Sequence, residues 1–221
     1  MKPILTVFAD SPDGGQGVAR DMRVRWALEE VGQDYDVRTV PFAKLKESEH
    51  RARHPFGKIP TYEEGELTLF ESGAIALHLA ESRPGLLPGD AEARERAIVW
   101  LFAALNTVEP PIIEREGYLI MEKDKPYFRD RLTLLDDRVR ERLAEVSAFL
   151  GERDWLEGEF TVGDLMMIEV LIRLKDPTLP GTSLLEEFPT LARYVERGEA
   201  RPAFKRAFDG QRQVFLESQE A

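Results

Sequence analysis

Apolar positions in the first third of the chain alternate between two spacings. The run ILTVFA, residues 4–9, reads as a strand, and Val24, Ala27, Leu28 and Val31 then recur at the three- and four-residue intervals of one helix face. YDVRTV, residues 35–40, returns to strand character. After a polar, helical segment ending at Pro55, KIPTYEEGELTLF (58–70) forms two short runs around a Glu64-Gly65 turn, and Ile75, Ala76, Leu79 and Ala80 make the stripe of another helix. The predicted order is β-α-β, α, β-β-α over residues 1–83.

From residue 84 to 90 the composition turns to Pro and Gly, in the stretch SRPGLLPGD, which reads as a linker. The remaining chain, 91–221, is helical in pattern. Ile98, Leu101, Phe102 and Leu105 fit one stripe, and Leu132, Leu135, Val139, Leu143, Val146 and Leu150 fit a longer one. Residues 162–174 are apolar almost all round, as in a helix buried on every side. Thr161 and Asp164 have capping-box spacing at its start, with Phe160 and Leu165 as the hydrophobic staple, so Asp164 is assigned to folding rather than catalysis. The fold class is therefore an α/β domain followed by an all-α bundle.

A chain of 221 residues with 43% hydrophobic content can bury one sizeable core or two small ones. Its formal charge of -11 disfavours nucleic acid and anionic membrane surfaces as partners. No signal-peptide pattern opens the chain and no run approaches a membrane span, so a cytoplasmic location is expected. With no cysteine, a disulfide framework, a thiolate metal site, a Cys nucleophile and a protein dithiol are excluded, and any thiol chemistry must use a thiol supplied by a ligand. His50 and His54 stand at i, i+4 but lack an accompanying carboxylate motif, so they read as surface histidines and no metal is expected.

The segment FADSPDGGQGVARDMRVRWALEE (8–30) joins the first strand to the first helix through Gly14, Gly15 and Gly17. It has neither a phosphate-loop nor a dinucleotide spacing, and flexible turn chemistry accounts for its glycines. PFGKIPTYEEGELTLFESGAIALHLA (55–80), with Ile-Pro before a short strand and Glu-Ser opening a helix, resembles the glutathione-binding half of the cytosolic glutathione transferases of bacterial type. RVRWALEEVG in the first helix and FTVGDLMM at the capping box extend the resemblance over essentially the whole chain. It implies a thioredoxin-like domain followed by an all-helical domain, and a homodimer that pairs the first domain of one subunit with the bundle of the other. Glutathione enters as co-substrate, and no other cofactor is implied.

Ser72, at a helix N-terminus, would meet a carboxylate with free amides and the positive dipole end. Glu71 would pair with the ammonium of the same γ-glutamyl group. The alternative is a simple N-cap beside a dipole-favoured acid. In the resembling family the proline at the Pro60 position is cis, an arrangement that turns the backbone of Ile59 outward to hold the cysteinyl part as an added strand; an ordinary trans edge proline is the other reading. Lys58 is placed to approach the glycyl carboxylate, or is simply solvated.

The family's thiol-activating Tyr, Ser or Cys has no counterpart at Val18 to Arg20, and SPDGGQG adds about half a dozen residues. Candidates for activation are Arg20, a permanent cation near a helix N-terminus, and Ser11, a hydroxyl just beyond the strand, with loop amides as a third source. The electrophile, a small hydrophobic molecule, is expected between the domains, where the bend made by Pro110 and Pro111 in the first bundle helix brings Asn106, Glu109 or Ile113 to the pocket wall; a curve on the outer surface with no part in the pocket is the other reading. Conjugation to that electrophile, or reduction of a peroxide or disulfide, is the enzyme reading. A non-catalytic binding or regulatory protein of the same fold is the alternative.

Overall fold

The structure, a computed structural model, describes residues 2–175 and 182–220. Two compact units divide the chain: one runs to Leu87 and resumes at Ala200, and the other is Pro88–Glu199.

The first unit holds β1 (Ile4–Phe8), α1 (Asp21–Glu30), β2 (Asp36–Val40), a short α2 (Ser48–Arg51), β3 (Thr61–Glu64), β4 (Leu67–Phe70) and α3 (Ser72–Ser82), the order expected from the sequence. The sheet runs β2-β1-β3-β4, with β1 parallel to β2 and antiparallel to β3, and β3 antiparallel to β4. Leu5 faces both Val37 and Tyr62 across the ladders, and Leu5, Val7 and Tyr62 are buried. The β3–β4 turn is Gly65-Glu66, one residue later than the pattern suggested, with Glu64 paired to Leu67 and Gly65 in the left-handed region.

The last helix, α9 (Pro202–Gln219), packs on α1 inside this first unit, although the sequence reading grouped it with the bundle. Phe204 meets Trp26 edge-on at 5.0 Å, and the Arg201 guanidinium donates to both Glu30 carboxylate oxygens at 2.6 and 2.8 Å. With both α3 and α9 packed on it, α1 is buried from Asp21 to Leu28, including Arg23 and Arg25. Asp21 accepts from Arg25 Nε at 2.9 Å and from Gln211 Nε2 at 3.2 Å; burial nevertheless pushes its pKa up, against the pull of Arg25.

The second unit holds α4 (Ala91–Ala103), α5 (Glu109–Met121), α6 (Phe128–Leu150), α7 (Val162–Ile172) and α8 (Pro189–Glu199). Between α4 and α5 the chain makes one π turn, Ala104–Val108, in which the Glu109 N–H donates to the Ala104 carbonyl five residues back. Glu109 carries the last amide hydrogen before Pro110 and Pro111, so the distortion expected at the prolines takes this form. Asn106 and Thr107, whose carbonyls lose their i+4 donors, are exposed, where water can replace them. Ala91–Met121 is long and apolar enough by length and composition to cross a membrane, although charged and polar residues interrupt it. Here it is a packed helix, with Ala97, Leu101, Ala104, Val108 and Ile112 buried and α7 against it.

α7 is buried on every residue, as its all-round apolar pattern required. Its capping box is in place, the Thr161 N–H donating to Asp164 at 2.9 Å and Thr161 Oγ1 accepting from Gly163 at 3.2 Å.

Candidate functional site

β4 passes into α3 through one residue. Glu71 makes that turn with φ 70 and ψ 114, and among the described residues no other non-glycine residue has a positive φ. Such a conformation costs on the order of 1–3 kcal/mol and persists only where the surroundings fix it, most often at ligand sites. Its side chain caps nothing and is exposed, so the first turn of α3 keeps uncapped amides, the first i+4 bond being Ile75 N–H to the Glu71 carbonyl at 3.0 Å. Ser72 is buried beside it, and its Oγ accepts from the buried Arg23 of α1 at 3.4 Å. An exposed carboxylate thus stands at an open helix N-terminus, an arrangement that can receive both ends of a zwitterion.

The Ile59–Pro60 peptide is cis. Ile59 packs with Val40, Leu45 and Phe8, Thr61 begins β3 opposite Thr6, and Lys58 is exposed. The Lys58 carbonyl is tied to His50 Nε2 at 2.7 Å.

Both histidines are buried rather than on the surface as the sequence suggested. His50 is held under the Lys58 carbonyl, and His54 lies against Phe70 at 4.9 Å and Phe56 at 6.2 Å. Neither environment is visible in an i, i+4 spacing. Burial draws the His54 pKa below 6.5, only partly offset by the charge of Glu71. The unfolded chain therefore takes up a proton before the folded one, and stability is expected to fall as pH drops below 6.5 through the folded pKa. Urea denaturation across that range should show the slope in the natural chain and a reduced slope in His54→Gln.

Between β1 and α1, Ser11 is buried and donates to Asp13 Oδ1 at 2.5 Å. Asp13 also accepts from the amides of Gly15, Val18 and Ala19 at 3.1, 2.8 and 2.9 Å. Sequence reasoning passed over this carboxylate, though Ser-Pro-Asp-Gly before a helix start was the signal for it. Arg20 occupies the N-cap position of α1, partly buried. In the second unit Asn106 is exposed, Glu109 is buried and Ile113 is half-buried. A cleft of about 550 Å³ in the first unit, lined by Arg25, Tyr35, Arg206 and Gly210 among others, includes none of the candidate thiol-activating, glutathione-binding or electrophile residues.

The description "Glutathione S-transferase, N-terminal domain" matches residues 14–81, and "Glutathione S-transferase, C-terminal domain" matches residues 91–197. Glutathione S-transferase 4 of Zea mays is 34% identical over 193 residues, covering 82% of this chain and 83% of the relative. The probable glutathione S-transferase GSTF1 of Oryza sativa subsp. japonica is 29% identical over 195 residues, covering 83% and 88%. Among solved structures, a glutathione transferase family member from Pseudomonas fluorescens pf-5, crystallised with two glutathione bound, has the same fold with a TM-score of 0.80 at 24% identity, over 94% of this chain and 92% of that one.

Proposed function

The chain belongs to the cytosolic glutathione S-transferase family, and from that premise we propose that its first unit binds glutathione and activates the thiol for attack on a small electrophile, a peroxide or a disulfide. Relatives matched over four-fifths of the chain are themselves glutathione transferases, which favours an enzyme over a non-catalytic binding protein. The observation that carries the site is the left-handed Glu71 at the uncapped start of α3. The γ-glutamyl carboxylate then takes the α3 amides and Ser72, Glu71 takes the ammonium, the Ile59 backbone takes the cysteinyl part before Pro60, and Lys58 takes the glycyl carboxylate.

Of the two side-chain candidates for thiol activation, Ser11 has its only hydroxyl proton directed at Asp13, which supports Arg20 as the group that stabilises the thiolate. Lowering a thiol pKa from about 8.5 by two units takes roughly 2.7 kcal/mol, within reach of one guanidinium and a helix N-terminus. Asn106, Glu109 and Ile113 are proposed to face the electrophile. Retention on immobilised glutathione together with turnover of an aromatic electrophile tests the reading; retention without turnover would favour the binding-protein alternative, and no retention would refute the site.

Ser72→Ala removes a hydroxyl but leaves the α3 amides, so glutathione binding should weaken by about 1 kcal/mol, a few-fold in Kd by calorimetry. We also propose a cytoplasmic homodimer. Phe42 and Phe56 on the first unit, and Val99 and Phe102 on α4, are large apolar side chains left exposed, of the kind a partner copy covers. Light scattering at micromolar concentration should give twice the chain mass of 25.2 kDa, and a single-chain mass would remove the dimer.

A further inference from the structure

The loop from Ser11 to Arg20 is organised around one carboxylate. Asp13 takes four hydrogen bonds at once, from the Ser11 hydroxyl and from the amides of Gly15, Val18 and Ala19, the last two at the entrance to α1. Two backbone bonds tighten the loop further, Gly14 N–H to the Ser11 carbonyl at 3.0 Å and Gln16 N–H to the Asp13 carbonyl at 3.3 Å. From outside, α9 forms a wall. A Cβ on Gly17 would lie 2.8 Å from Phe208 and one on Gly15 would lie 3.1 Å from Phe215, and both glycines have positive φ. Gln219 of α9 donates to Asp10 at 3.1 Å, closing the near end of the same loop.

We propose that Asp13 is a positioning residue for the thiol site, and that α9, through Phe208 and Phe215, is the wall against which it works; this rests on the glutathione reading above. The carboxylate draws the loop amides inward and sets the start of α1, and the phenyl rings stop the loop from relaxing outward, so that Arg20 is carried to the sulfur. A carboxylate placed there for its charge would oppose a thiolate, since like charges disfavour ionisation. The two roles therefore predict opposite signs. If Asp13 acts by position, removing it raises the thiol pKa; if it acts by charge, removing it lowers the pKa. The last helix, remote in sequence, becomes part of the site's construction.

Asp13→Asn, Gly17→Ala, Phe208→Ala and the Gly17→Ala, Phe208→Ala pair, each in the full chain, test this. In Asp13→Asn the inflection of kcat/KM against pH should move up by about one unit, about threefold less thiolate at pH 7, while glutathione Kd stays within about twofold. Amide exchange at Val18 and Ala19 should quicken by about tenfold or more, with exchange in α7 unchanged. Gly17→Ala should cost less in the Phe208→Ala background than alone, because the clash is then removed. An inflection that stays or moves down, unchanged exchange at Val18 and Ala19, or strict additivity of the pair would overturn the proposal. If the natural chain fails to turn over glutathione, the functional reading falls and takes the thiol role with it, whereas unchanged exchange alone refutes the anchoring of the loop by Asp13 and spares that reading.

Discussion

Replacing Glu71 with alanine is expected to weaken glutathione binding by on the order of tenfold to a hundredfold, because a charge-assisted hydrogen bond contributes roughly 1.5–3 kcal/mol. The side chain is exposed and caps nothing, so the protein itself loses little when it is truncated. The backbone strain remains in the alanine variant, which separates the ligand's loss from a conformational one. Glu71→Gln keeps the shape and removes the charge, and should fall with alanine rather than with the natural chain. Calorimetric titration with glutathione, alongside thermal melting, reads both quantities. Equal affinity in all three proteins would mean that the γ-glutamyl ammonium lies elsewhere.

The second large effect is on stability. Asp164 is fully buried and accepts from the amides of Leu156 and Thr161, the Thr161 hydroxyl and the Tyr194 hydroxyl, at 2.8 to 3.0 Å. It therefore joins three places in the second unit: the turn before α7, the first turn of α7 itself, and α8. Asp164→Ala strands those donors in the interior, where each unsatisfied group costs about 1–3 kcal/mol, so a total loss of about 3–5 kcal/mol is expected. Burial raises the pKa of this carboxyl despite its four donors, and raises that of the Tyr194 hydroxyl well above its usual value with the Asp164 charge adding to the effect. Denaturant unfolding should show the loss, while glutathione affinity at low denaturant should be unchanged. A loss below 1 kcal/mol would contradict the structural role given to this network.

The elements whose periodicity was strong were legible in the sequence: the α1 and α3 stripes, the two-strand run after Pro60, and the all-apolar α7 with its capping box. Their local signals agree with their tertiary setting, so nothing overrides them. The position of α9 was not legible, because a helix stripe states that one face is covered and not by what. Arg23 and Arg25 lie off the apolar stripe of α1, yet α3 and α9 both pack on that helix, with Ser72 accepting from Arg23 and Asp21 accepting from Arg25 and Gln211. At the candidate site, Ser72 at a helix start could be read directly. The left-handed backbone of Glu71 could not, since Glu has no preference for that region and the requirement arises from the abrupt passage of β4 into α3. The burial of His50 and His54 likewise depends on Lys58 and Phe70, which approach only after the chain has folded back.

A crystal of the chain soaked with glutathione tests the central claim most directly. The γ-glutamyl carboxylate should lie on the first amides of α3 and the Ser72 hydroxyl, its ammonium against Glu71, the cysteinyl backbone paired with Ile59, and the sulfur nearer to Arg20 than to Ser11. Glutathione bound with its γ-glutamyl end away from Glu71 and Ser72 would contradict the account.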